Sequence, residues 1–204
     1  MGLRKIDGES PVLGIGYNQG GNTEGNLDRT SSINLTYKLG SRLKLSFSPS
    51  YSKSKNIVYN HEIYNWYDDS AKVWHSPVPQ LEQTTISTGI RFDYTISPVI
   101  SLQTFIQPLI WQGKYSDFKE FSSYDSYTFT KLDDEDIISN YSALVFNSVF
   151  RWEFSPGSTF YLVWTRNTEL SSSNEKFELM SNTVDLLIEK AANHLAIKIT
   201  YWID

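Results

Sequence analysis

The stretch Ser31–Ser52, SSINLTYKLGSRLKLSFSPSYS, decides the fold. Ile33, Leu35, Tyr37 and Leu39 fall on one side of an extended chain, with Ser32, Asn34, Thr36 and Lys38 on the other. A turn at Gly40-Ser41 follows. The alternation then resumes, with Leu43, Leu45, Phe47 and Tyr51 against Lys44, Ser46, Ser48, Ser50 and Ser52. Successive strand side chains point to opposite faces, so two period-two runs around a glycine-containing turn specify an antiparallel hairpin.

The same pattern extends outward in both directions. Ile86, Ile90, Phe92, Tyr94 and Ile96 alternate with Thr85, Ser87, Gly89, Arg91, Asp93 and Thr95, and a turn at Ser97-Pro98 leads into a strand from about Ile100 to Gln112. Leu144, Phe146, Phe150, Trp152 and Phe154 oppose Asn147, Arg151 and Glu153, and the turn Ser155-Pro156-Gly157-Ser158 returns through Phe160, Leu162 and Trp164. A last strand near Asn193–Ile203 aligns Leu195, Ile197, Ile199, Tyr201 and Ile203. A first strand near Pro11–Gln19 is weakened by its glycines. The total is about eight strands, joined alternately by tight turns and by longer polar links at about Gly20–Asp28, Lys55–Gln83, Lys114–Asn140 and Asn167–Ala192. In an up-and-down sheet, that order puts every tight turn at one end and every long link at the other, which is the asymmetry of outer-membrane barrels.

Composition narrows the classes. The chain has 204 residues, no cysteine and a net charge of −5, so disulfides, thiolate metal sites and a basic nucleic-acid surface are excluded. No run reaches the roughly 18 apolar residues of a membrane helix. Aromatics are 15% of the chain while the mean hydropathy is only −0.36. A sheet with one polar and one apolar face gives that combination, because the mean hides both faces. Residues 1–10, MGLRKIDGES, lack the apolar core of a signal peptide and are taken as an N-terminal extension to a single β-barrel domain over 11–204. Such a start suits either a cytoplasmic chain or a piece of something larger.

Alternation alone does not say which face is inside. A soluble barrel turns its apolar face inward, and a membrane barrel turns it outward. Three features favour the outward reading. The polar face is mostly Ser, Thr, Asn, Gln and Gly, which suit a narrow interior. Its charges come in i,i+2 pairs of opposite sign, Arg91 with Asp93 and Arg151 with Glu153, as enclosed charges require. The apolar face carries amphipathic rings near strand ends, suited to a membrane–water boundary: Tyr37, Tyr51, Tyr94, Trp152, Trp164 and Tyr201. The expected lipid-facing set is Leu35, Leu45, Phe47, Ile90, Phe92, Phe146, Phe150, Leu162, Ile197 and Ile199, and the expected interior charges are Arg91, Asp93, Arg151, Glu153 and Lys198.

The runs FIQPLIWQGKYSDFKEF (105–121), RWEFSPGSTFYLVWTR (151–166) and SPSYSKSKN (48–56), with the ending HLAIKITYWID, carry a resemblance. From about Asn26 onward the chain resembles the C-terminal barrel region of a family of Gram-negative outer-membrane proteins. That family joins a domain similar to family-nine carbohydrate-binding modules to a β-barrel of unknown function, and its members are sometimes labelled membrane-associated hydrolases. The resemblance implies an outer-membrane location, with membrane lipid and lipopolysaccharide as partners and a carbohydrate-binding-like domain elsewhere in the same protein. It implies no catalytic residues. The carbohydrate-binding-like domain is absent from this chain, and the family barrel is longer.

Motifs for chemistry are sparse. His61, His75 and His194 are dispersed, and neither a nucleophile elbow nor a phosphate-binding glycine loop is present. Asp133, Asp134, Glu135 and Asp136 form an acidic run that reads as a solvated loop, with calcium or lipopolysaccharide bridging as the alternative. Asp68 and Asp69 lie among Tyr64, Trp66, Tyr67 and Trp74, a cluster that reads as a strand extension, with sugar stacking as the alternative. Thr183–Ala192 reads as an amphipathic helical stretch with Val184, Leu187, Ile188 and Ala191 on one face, packed over a loop or the barrel rim.

The expected fold is therefore all-β: an antiparallel up-and-down transmembrane β-barrel of about eight strands, or the C-terminal part of a larger one. The expected function is non-enzymatic. It is an outer-membrane barrel domain that anchors, or forms a conduit for, a larger envelope protein linked to glycan or nutrient handling. No cofactor and no nucleic-acid partner are expected. One alternative is a barrel hydrolase using His61 or His75 near Asp68 and Asp69. The other is a soluble barrel that holds a small apolar ligand.

Overall fold

The computed structural model describes residues 11–23, 25–57, 66–70, 72–75, 77–123, 128–131, 135–173 and 179–203. The elements are β1 (Val12–Gly21), β2 (Leu27–Leu39), β3 (Leu43–Ile57), β4 (Trp66–Asp68), β5 (Val73–His75), β6 (Val78–Ser97), β7 (Ile100–Ser123), β8 (Thr128–Lys131), β9 (Ile137–Ser155), β10 (Ser158–Ser172), α1 (Leu179–Ile188) and β11 (Ala192–Thr200). Eight of them follow an up-and-down path, β1-β2-β3-β6-β7-β9-β10-β11, and β8 pairs with the far end of β7. Every pairing is antiparallel. The sheet is not closed, and β1 and β11 are its two edges.

Local chemistry sets the tight end. Gly40 and Gly157 take positive φ (63° and 74°), where a side chain is costly. Neighbouring turns are tied by backbone bonds: Thr95 N donates to Arg42 O at 2.7 Å, and Glu153 N donates to Val99 O at 2.8 Å. The C-terminal segment folds over the last turn, where Trp202 N donates to Ser158 Oγ at 3.0 Å.

Two prolines sit in the middle of central strands, and each opens the ladder on one side. The β2–β3 pairing lapses between Ser32–Ser50 and Leu35–Phe47, at Pro49. The β6–β7 pairing lapses between Ser87–Leu109 and Ile90–Ile106, at Pro108. Proline has no N–H to donate, yet the flanking register is kept on both sides.

Side-chain packing contributes little interior. Among the described residues the buried hydrophobics are Val78, Ile110, Phe118, Leu144 and Leu186. The chain exposes 14525 Å², against roughly 9,800 Å² expected for a compact monomer of 23.5 kDa. The surplus is large and is the signature of a single-layer sheet.

The strands outrun their sequence-based limits at the long-link end. β7 has 24 residues and β6 has 20, so the expected links at Lys55–Gln83 and Lys114–Asn140 are strand over much of their length. The expected long link at Gly20–Asp28 is shorter, since β1 runs to Gly21 and β2 starts at Leu27, and Asn26 N donates to Asn22 Oδ1 at 3.1 Å. The last strand stops at Thr200, so Tyr201 and Ile203 lie beyond it. The helix spans Leu179–Ile188 rather than 183–192. It buries Leu186, while Val184, Leu187 and Ile188 point away from the sheet, 53–76% exposed. Their spacing marked the helix correctly but not its inward face.

A Cβ added at Gly157 would lie 3.1 Å from Trp202 Cβ, at a left-handed backbone position. Gly157→Ala is expected to lower the unfolding free energy by about 1–2 kcal/mol in denaturant titrations. Gly20→Ala, where nothing lies within 4 Å, should change it by less.

Candidate functional site

The register assembles continuous rows across the sheet. On one face, one row runs Leu13–Leu35–Phe47–Ile90–Ile106–Phe146. The next runs Tyr37–Leu45–Phe92–Thr104–Ser148–Trp164–Leu195, and a third runs Leu39–Leu43–Tyr94–Leu102–Phe150–Leu162–Ile197. Trp152, Phe160 and Ile199 continue it toward the tight turns. All ten residues of the expected lipid-facing set lie on this apolar face, as do Tyr37, Tyr51, Tyr94, Trp152 and Trp164. On β3 and β6 the apolar stretch covers residues 43–51 and 86–94, nine positions each. A tilted strand needs about 9–11 residues to cross a bilayer's hydrocarbon. Ile15, Phe47, Ile90 and Ile197 are 37–78% exposed, so nothing within the described chain covers this face over most of its width.

The opposite face is lined by small hydroxyls on β2, β3 and β6. Thr30 and Ser52 hydroxyls lie 3.1 Å apart, and those of Thr36 and Ser46 lie 3.3 Å apart. The expected interior charges share this face. Arg91 Nε meets both Asp93 carboxylate oxygens at 3.2 Å, Arg151 Nη2 donates to Glu153 Oε2 at 2.7 Å, and Lys198 is in register with Tyr161. A cavity of about 260 Å³ is lined by Arg91, Gln103, Thr104, Phe105, Asn147 and Val149.

On β7 and β9 this face is not small and polar. Phe105, Leu109 and Trp111 alternate with Ile106, Pro108 and Ile110, so β7 carries large side chains on both sides. Trp111 lies across Gly113, where an added Cβ would come within 2.5–2.7 Å of the indole, and its Nε1 donates to Gln83 Oε1 at 3.1 Å. Counting by twos through Ile100–Gln112 marks both faces as apolar, and for that reason the pattern there did not assign them.

Beyond the apolar stretch, toward the long links, the apolar face turns charged. Arg29 faces Lys53, and Leu27, Lys55, Glu82 and Lys114 form the next row. Lys55 Nζ donates to Glu82 Oε1 at 2.9 Å, and Lys114 Nζ lies 2.7 Å from Asp136 Oδ2. The Lys55 hydrogen bond holds the Glu82 carboxyl below its ordinary range, against the opposing effect of partial burial.

On β7, β9 and β10 the apolar face is covered by α1, level with Ile86 and Ile90 and so within the apolar stretch rather than past it. Ile110, Ser142, Leu144 and Thr168, all of the apolar face, are buried there together with Leu186. Arg166 lies on that face in register with Phe146, and its Nη2 donates to Leu187 O at 2.9 Å and Glu189 O at 3.1 Å. A cation on the last carbonyls of a helix satisfies groups that the helix itself leaves unpaired. A lone arginine in an otherwise apolar row was the available sign of this clamp, and sequence reasoning missed it.

The other candidates are dispersed. Asp68 and His75 belong to the separate hairpin β4–β5, where Trp66 pairs with His75 and Asp68 with Val73. Asp68 Oδ1 accepts from Ser70 N at 2.8 Å and Ser70 Oγ at 2.6 Å, which fixes the turn after β4, and Asp69 stands in that turn. His194 is in register with Thr165 on the polar face of the main sheet. Asp136 is held by Lys114. His61, Tyr64, Asp133 and Asp134 lie outside the described residues. Among the described residues no group of three or more His, Asp or Glu side chains is placed to hold a metal ion, and no helix is long and apolar enough to cross a membrane.

A family model described as a domain of unknown function (DUF5916) matches residues 14–204. The chain belongs to this family. The match begins within β1 and covers the other seven strands of the main path and α1. It speaks neither for a membrane location nor for a carbohydrate-binding domain. Curated proteins and solved structures give no match.

The Glu82–Lys55 pair sets a pH dependence. A carboxyl with a depressed folded-state pKa contributes stability above its unfolded value and loses it as pH falls through the folded one. Acid unfolding of Glu82→Gln is therefore expected to be less steep than that of the parent below the ordinary carboxylate range. Identical acid slopes would show the pair to be uncoupled from stability.

Proposed function

We propose that this chain is a non-enzymatic transmembrane β-barrel domain of a Gram-negative outer membrane. It serves as the anchor or conduit of a larger envelope protein. The observation that carries the reading is the apolar face: nine-residue apolar stretches lie in register on β3 and β6, aromatic rings mark their ends, and the opposite face is hydroxyl-lined. In hydrocarbon every backbone polar group needs a partner, and strands can meet that demand only in a closed ladder. Edges β1 and β11 therefore pair in the membrane, with each other or with further strands. The membrane lipid is the partner of the apolar face, and the three tight turns lie at the periplasmic end. A link to glycan handling rests on the resemblance of the chain to barrels joined to carbohydrate-binding-like domains.

Two features support this reading over a soluble ligand-binding barrel. One is the exposure of the apolar rows at Phe47, Ile90 and Ile197, and the other is that toward the tight turns the ion pairs Arg91–Asp93 and Arg151–Glu153 lie on the face opposite those rows. A membrane barrel places its charges on the enclosed side.

The test is export of the chain behind a signal sequence, followed by membrane fractionation. Ile90→Arg or Phe146→Arg is expected to block insertion, at about 2–4 kcal/mol for a midplane cation, whereas Ser46→Arg and Ser87→Arg should insert. Recovery of a monodisperse parent chain without detergent, or equal effects on both faces, would sink the reading.

A further inference from the structure

The charged row just past the apolar stretch has a composition that the sheet itself does not explain. Arg29 and Lys53 are directly opposed across β2 and β3, and like charges in that position repel. Neither has an ion-pair partner among the described residues. Lys55, two positions on, is held by Glu82. Arg29, Lys53, Lys55 and Glu82 line one groove of about 220 Å³ together with Leu27 and Ser54. The three cations exceed the single carboxylate, so the groove carries a net charge of about +2 by simple counting. Arg29 is two residues past Ser31 and Lys53 two past Tyr51, so the groove opens on the apolar face at the edge of the apolar stretch.

That placement selects the ligand. A free anion gains nothing from an apolar floor, whereas a phosphorylated lipid presents its charge and its chains together, at this spacing. The geometry points to a site in which Arg29, Lys53 and Lys55 hold the phosphate groups of a lipid headgroup while its acyl chains lie along Tyr51, Phe47 and Leu45. Arginine supplies a fork for two phosphate oxygens and the lysines supply point charges. The bound phosphate also relieves the Arg29–Lys53 repulsion. This site deepens the membrane-spanning reading and rests on it.

The test uses the full chain in a neutral detergent, with lipid A, its dephosphorylated form and inorganic phosphate as probes and binding followed by native mass spectrometry. Arg29→Gln with Lys53→Gln is expected to weaken lipid A binding about thirtyfold, roughly fivefold for each cation near an anionic surface. Binding of the dephosphorylated lipid should be unchanged. Lys38→Gln with Lys44→Gln, at the tight-turn end of the polar face, should leave lipid A binding within about twofold of the parent. Equal affinity of parent and double variant for lipid A would overturn the site. So would equal losses for both lipids, or displacement of lipid A by inorganic phosphate at matched phosphate concentration. The two readings fail differently. A parent chain that stays soluble without detergent defeats the membrane reading. A chain that inserts into vesicles but binds lipid A equally with and without the two cations defeats the site alone.

Discussion

The rest of the structure follows from one constraint: an eight-strand path laid out as a single layer, with almost nothing to pack against. Domains are usually stabilised by two layers that bury their apolar faces on each other. Here α1 covers a small part of one face, and the remaining order comes from the inter-strand ladder. That explains why continuous register matters more than side-chain interdigitation in this molecule. It also explains why Pro49 and Pro108 are accommodated without a register shift, since a slip of one residue would transfer every apolar side chain to the hydroxyl-lined face.

The two faces divide the remaining work. On β2, β3 and β6 the separation is clean, with hydroxyl contacts on one side and Leu, Phe, Ile and Tyr on the other. On β7 and β9 it blurs. Phe105, Leu109 and Trp111 stand among the polar groups, while Thr104 and Ser148 join hydroxyls at 3.1 Å on the apolar side. The sheet is thus graded from a narrow, polar half to a bulkier half, and the family match spans both without separating them.

The period-two pattern made much of this legible. Leu43–Tyr51 alternates throughout and Ile86–Tyr94 is broken only at Thr88, so their turns, their apolar faces and the i,i+2 charge pairs could be read before any coordinates. Strand length could not. Residues 113–123 and 137–142 are mixed in character because they lie past the apolar stretch, and β7 continues there through backbone pairing, the buried Phe118 and ion pairs at Lys114 and Lys119. The inward side of α1 was equally hidden. Three of its apolar residues point outward, and a stripe on a helix says only that some apolar surface meets it. The contact between Arg166 and the last carbonyls of that helix joins segments about twenty residues apart, a distance at which local pattern carries no information.

The strands rise and fall across the sheet, from 10 residues in β1 to 24 in β7 and back to 9 in β11. At about 3.3 Å per residue, β7 alone is roughly 80 Å of chain, and β6 accompanies it to Lys119 and β9 to Tyr115. Its upper reach is paired only with the tops of β6 and β9 and with the short β8. That crest also holds Phe118, Val78, Pro77 and Pro79, all buried, so the reach of the sheet past its apolar stretch carries a small dry core of its own.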